Sequence, residues 1–109
     1  MAQKMTAYQK DLIESLKDPR EAAAYLNAAM EDGERAVFLL ALRNIAEAHG
    51  GIAAIAEKAN LNRENLYRIL SRRGNPEIKS VLKILQCIGL NLTVSPKKRS
   101  LRSQSKKVA

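Results

Sequence analysis

The sequence is poor in aromatics: Tyr8, Tyr25, Phe38 and Tyr67 are the whole set, and tryptophan is absent. Rings so few and so scattered do not make the stacking platform by which single-stranded nucleic acids are held. Cys87 is the one cysteine and His49 the one histidine. A single thiol closes no internal disulfide, and the two together are too small a set of soft ligands for a zinc site; no metal or other cofactor is expected, and a reducing compartment is. Neither residue has a third group placed to orient it for nucleophilic chemistry. His49 reads as a helix-end residue and Cys87 as helix packing, so no enzyme is expected. Long apolar runs are missing as well. Nothing approaches the roughly 20 residues that span a bilayer, and the first residues lack the charged-then-apolar pattern of an export signal, so the expected location is the cytoplasm.

What remains is a chain of 109 residues, 46% hydrophobic and dominated by Ala, Leu and Ile. That length suits one compact domain plus a tail, and that composition suits closely packed helices, giving an all-α expectation. The formal charge of +8 is unevenly spread. Residues 1–50 carry six Lys or Arg against eight Asp or Glu, residues 51–94 carry seven against three, and residues 95–109 carry six against none. A basic second half on a small helical protein is the footprint expected for a polyphosphate partner, although solubility or anionic lipid also accounts for such charge.

Turn and cap residues divide the chain. Residues 1–17 read as a flexible start with a short helix carrying Tyr8, Leu12 and Leu16 at helical spacing. Asp18, Pro19 and Glu21 then supply an N-cap acceptor, a first-turn proline and a carboxylate placed to close a capping box. The helix that follows has Ala22, Tyr25, Leu26, Ala29 and Met30 on one stripe and breaks at Asp32-Gly33. A central helix, Glu34 to His49, is apolar on Phe38, Ala41, Leu42 and Ile45 and again on Val37 and Leu40, and Gly50-Gly51 ends it. Three short helices complete a domain over 18–94: Ile52 to Lys58, Arg63 to Ser71 and Glu77 to Ile88. The last is expected to start on Asn75-Pro76 and to bury Ile78, Val81, Leu82, Leu85 and Ile88. Leu90 to Val94 alternates apolar and polar, the period of a strand. One strand makes no sheet, so this segment stays unpaired, packs as an arm, or pairs with its copy in a twofold dimer. Residues 95–109, rich in Lys, Arg, Ser and Gln, read as a disordered basic tail.

Residues 52–71 carry the functional signal. Ile55, Ala56, Ala59, Leu61, Leu66 and Ile69 are spaced so that two short helices bury one seam, Ala56 is small where the helices cross, and Asn60 sits where the turn needs a left-handed residue. Asn62 is placed to cap the second helix. Its outward side chains are then Arg63, Glu64, Asn65, Tyr67, Arg68 and Ser71, types able to read a major groove. Arg63 and Arg68 suit guanine O6 and N7; Glu64 suits cytosine N4 or the orientation of an arginine; Asn65 or Tyr67 suits adenine or phosphate. Arg72, Arg73 and Lys79 lie just beyond, where phosphate contacts set register without reading sequence. Such a corner also occurs as plain structure with a solvated charged face. Cap, turn residue, seam and outward side chains coincide here within one window, which favours a helix-turn-helix.

The chain also resembles the addiction module antidote proteins, the Xre-like helix-turn-helix antitoxins of toxin–antitoxin pairs. Resemblance runs from about Leu16 to Val94. It rests on Tyr25-Leu-Asn-Ala-Ala-Met30, Ala41-Leu-Arg43, Ala46 with His49-Gly-Gly51, Leu61 to Leu70 with its core Arg63-Glu-Asn-Leu-Tyr67, Gly74-Asn-Pro76, and the ending Leu82 to Leu92. Asn60 departs from the family's usual glycine. The resemblance implies an antitoxin that neutralises a RelE-like ribonuclease toxin and represses their shared operon. The fold expected is a five-helix, lambda-repressor-like domain. Toxin contacts are expected on Asp11 to Glu34, in the acidic half. A twofold operator implies a homodimer, with Leu90 to Val94 and part of the last helix as its interface. Two other classes fit the residues themselves: a stand-alone phage-type or metabolic repressor with no toxin, and a module that binds protein through the same corner.

Overall fold

Thr6 opens the first helix of the computed structural model, which describes residues 6–97. Its hydroxyl accepts from the Gln9 N–H at 3.1 Å while the Gln9 side chain accepts from the Thr6 N–H at 3.0 Å, a closed capping box that starts α1 (Ala7–Ser15). Asp18 starts α2 (Pro19–Asp32) by accepting from the Arg20 N–H at 2.9 Å. That N–H, helped by the Arg20 guanidinium, holds the Asp18 carboxyl below its ordinary value. The Glu21 side chain closes no capping box, because the Asp18 N–H it would accept from donates instead to the Ser15 carbonyl at 3.2 Å. α3 (Arg35–Ala48), α4 (Ile52–Ala59), α5 (Arg63–Ile69) and α6 (Ile78–Cys87) follow, and the described residues contain no strand.

Five of the six helices fall within 18–94 and α1 precedes them. Residues 1–5 of the expected flexible segment 1–17 and most of the expected tail, residues 98–109, lie outside the described residues. α3 is the central element, packed against α1, α2 and α4, while α4 packs also on α5 and α6. The core that joins them is aliphatic: Leu16, Leu39, Leu42, Ile45, Ile55, Leu66, Leu70 and Ile84 are almost wholly removed from water. Two polar ties complement it. The Asn44 amide donates to the Tyr25 hydroxyl at 2.9 Å, and Nε2 of His49 lies 3.2 Å from the Leu16 carbonyl, so His49 closes the end of α1 as well as sitting at the end of its own helix.

Several helix faces differ from the sequence reading. On α3 the second apolar side is Leu39 with Ala46, while Val37 and Leu40 face outward. α6 is rotated by one position: Val81, Ile84, Leu85 and Ile88 are buried, and Ile78 and Leu82 are 62% and 42% exposed. Asn75-Pro76 is not its cap; the cap is Glu77, two residues later, and Asn75 and Pro76 lie in the linker from α5. Leu90 to Val94 is not paired as a strand. Gly89, at φ +79, ends α6, and the Leu90 N–H returns to the Leu85 carbonyl at 2.8 Å. Leu90 therefore belongs to the helix-closing motif, and the segment after it runs past Leu26 and Met30 of α2, where Leu90 and Leu92 line a hollow of about 90 Å³.

Candidate nucleic-acid interface

α4 and α5 are joined by a turn whose geometry hangs on one residue. Asn60 holds φ +58 and ψ +47, and it is the only residue other than glycine with positive φ among those described. The Leu61 N–H reaches the Ala56 carbonyl at 2.8 Å and the Asn60 N–H reaches the Glu57 carbonyl at 3.2 Å, the double closure that ends a helix on a left-handed residue. Asparagine tolerates that conformation better than other residues with a Cβ, so the departure from glycine is absorbed without distorting the turn. Ile55 and Ala56 on one side and Leu66 and Ile69 on the other are buried, with Ala59 and Leu61 half-buried at the rim.

Asn62 caps α5 as the sequence indicates, its side-chain oxygen accepting from the Asn65 N–H at 2.7 Å. Burial of Leu66 and Ile69 turns everything else outward: Arg63, Glu64, Asn65, Tyr67 and Arg68 are all exposed. Tyr67 is 52% exposed and is absent from the core. The Arg68 guanidinium donates to the Asn65 side-chain oxygen, so Asn65 orients this arginine, a task the sequence also allowed to Glu64. Asn62, Asn65 and Arg68 thus form a hydrogen-bonded line along the exposed side of the helix. The Ser71 hydroxyl donates back to the Arg68 carbonyl at 2.6 Å and shapes the helix end.

Arg72 and Arg73 are exposed in the turn after α5. Lys79, in the first turn of α6, is exposed too, and its ammonium lies 3.9 Å from the Glu77 carboxylate, a loose surface pair of little energetic weight. Nine of the ten candidate positions, Asn62 to Arg73, are thereby gathered on α5 and its flanks, and Lys79 stands one linker away.

Two residues with a structural hold on this region were given no role by the sequence reading. Arg43, half-buried on α3, donates from its guanidinium to the carbonyl of Leu70, the C-cap of α5. A lone cation inside the apolar run Val37 to Ile45 was the available signal. Gly74 is buried where the chain folds back over α5: a Cβ built there would sit 1.9 Å from the Ile69 carbonyl oxygen. Gly74-Asn-Pro76 stood in the sequence as a motif of the resemblance alone; close approach to a helix end is visible only in three dimensions.

Among the described residues no cluster of His, Cys, Asp or Glu is arranged to hold a metal, and no helix is long and apolar enough to cross a membrane. Cys87 is a half-buried free thiol packed against the core.

Comparison with known proteins places the chain. A family model described as "Probable addiction module antidote protein" matches residues 6–96, which include all six helices. An uncharacterized protein of Haemophilus influenzae is 34% identical over 84 residues, covering 77% of this chain and 86% of the relative. No solved structure matches. With the family match running from the cap of α1 to the end of the segment after α6, the chain belongs to the addiction module antidote family.

Proposed function

We propose that the chain is a DNA-binding antitoxin: it neutralises a RelE-like ribonuclease toxin and represses the operon that encodes both, through a lambda-repressor-like helix-turn-helix formed by α4 and α5. Family membership supports the toxin-neutralising half of this reading. For the DNA-binding half, the observation that carries it is the outward face of α5, a short helix that presents two arginines, an asparagine, a glutamate and a tyrosine to solvent while two buried residues seat it on α4. A seven-residue helix held this way is a rod of side chains presented at a fixed angle, the geometry a major groove admits.

In this reading Arg63 and Arg68 contact base edges, Glu64, Asn65 and Tyr67 complete the reading surface, and Asn62, Ser71, Arg72, Arg73 and Lys79 serve helix end and phosphates. Specific operators present two half-sites about 34 Å apart to a twofold protein, so the working form is a homodimer. Its interface is built on Leu90 to Val94 and the outer side of α6, where Ile78, Leu82, Leu92 and Val94 are exposed. The toxin is held by Asp11 to Glu34, whose outward side chains include Asp11, Glu14, Glu31 and Asp32. The tail from residue 95 adds salt-sensitive affinity for any duplex. The protein works in the cytoplasm and has no catalytic activity of its own.

Gel retardation on the DNA upstream of the chain's own reading frame, with and without the neighbouring gene product, tests this reading. A shifted band that the neighbouring product alters supports it. No shift at about 0.1 M salt, where screening still leaves phosphate contacts effective, refutes DNA binding, and a neighbour that neither binds nor is toxic refutes the antitoxin half.

A further inference from the structure

We infer that Arg43, half-buried on α3, is a positioning residue for DNA recognition: its guanidinium fixes the far end of α5 and with it the angle of the outward side chains. The inference rests on the DNA-binding reading above.

The last carbonyls of any helix lack donors within the helix and need partners from elsewhere. Leu70 is the C-cap of α5 and is fully buried, and no backbone N–H among the described residues reaches its carbonyl. Arg43 supplies the missing donor from 27 residues away in the chain. Arg43 is half-buried between Leu42 and Asn44, and one of its N–H groups satisfies the Leu70 carbonyl, which would otherwise be a buried acceptor without a donor. Positive charge at a helix C-terminus is favourable in addition.

α5 needs such a tie because it is short. Seven residues do not hold a helix together by propagation alone; Leu66, Ile69 and the C-cap Leu70 seat one face in the core, while the carbonyl of that C-cap still needs a donor. Its start is anchored by the Asn60 turn and the Asn62 cap. Its end is anchored by Arg43 and by the return of the chain at Gly74. Recognition geometry tolerates displacements of only about 0.5 Å, so slackening one anchor degrades paired contacts to bases more than point contacts to phosphates. Arg43 acts through the Leu70 carbonyl, where its guanidinium is engaged at the end of α5.

The test uses the full chain as wild type, R43M and R43K. Affinity is measured on the chain's own upstream duplex and on an unrelated duplex over a salt series, and hydrogen–deuterium exchange is followed at residues 66–73. R43M is expected to lose about tenfold on the upstream duplex while the unrelated duplex changes by less than about twofold and the salt slope is kept. R43K, which retains the charge and one usable donor, recovers part of the loss. Exchange at 66–73 rises in R43M while exchange at residues 22–30 of α2 does not.

Three results overturn the proposal. In the first, R43M binds the upstream duplex as the wild type does. In the second, both duplexes weaken together and the salt slope drops by about one, the mark of a lost phosphate contact. In the third, exchange rises throughout the chain, the mark of a general support for folding. If the wild type does not distinguish the duplexes, the DNA-binding reading fails by itself, and exchange at 66–73 in R43M and R43K still decides whether Arg43 holds the end of α5.

Discussion

α3 is fourteen residues long and buries Leu39, Ala41, Leu42, Ile45, Ala46 and Ala48, whereas α5 is seven residues long and buries only Leu66 and Ile69. The first is held by its own apolar faces. The second is held at its ends, by a left-handed asparagine, an asparagine cap, a borrowed arginine and a glycine that lets the chain pass close by. More apolar residues on α5 would give it intrinsic stability, but they would replace the exposed Arg63, Glu64, Asn65, Tyr67 and Arg68. A helix with so polar an outer face draws its order from its neighbours.

Substitutions sharpen this contrast by acting on one side of it at a time. Leu42→Ala, in the middle of α3, should lower unfolding free energy by about 2–5 kcal/mol in a urea titration, the range for opening a cavity in a closed core. Gly74→Ala should cost about 3 kcal/mol, because its Cβ meets backbone at the end of α5 and not a flexible side chain. Arg63→Ala should leave the urea midpoint nearly unchanged and weaken binding to the upstream duplex by about 1–3 kcal/mol in an anisotropy titration. Equal losses of stability and binding in that variant would mean that α5 is structural after all. Asn62→Ala should cost about 1 kcal/mol of stability, with loosened exchange confined to α5.

The smallest effect concerns the other end of the molecule. Asp18 has its folded pKa depressed below the ordinary value of 3.8, chiefly by the Arg20 N–H. A depressed carboxyl contributes stability above its unfolded pKa and loses it as the pH falls through the folded value. The acid limb of the stability curve below pH 3.8 should therefore flatten slightly in Asp18→Asn, and binding to DNA should not change.

Local chemistry made much of this legible beforehand. Asp18-Pro19, Gly33, Gly50-Gly51 and Gly89 mark boundaries because caps and left-handed turns involve only a few adjacent residues, and the structure keeps all of them. The same holds for Asn60 and Asn62, and the outward side chains of α5 follow from the burial of Leu66 and Ile69. What escaped depends on contacts distant in sequence. Ile84 is buried and Leu82 exposed because packing on α4 sets the rotation of α6, and either stripe satisfies helical spacing. Leu90 looked like the start of a strand because alternation over five residues cannot show that the first of them is used to close a helix. Arg43 and Leu70 are joined only once α3 and α5 are folded against a common neighbour.

The central claim, that α5 is the reading surface, is tested most directly by anisotropy titration of the upstream duplex with wild type and the R63A/R68A double variant at two salt concentrations. The expected result is a variant with unchanged melting that has lost preference for the upstream duplex and retains only weak, salt-sensitive binding. Preference undiminished in the double variant would contradict the claim and move any DNA contact to another part of the chain.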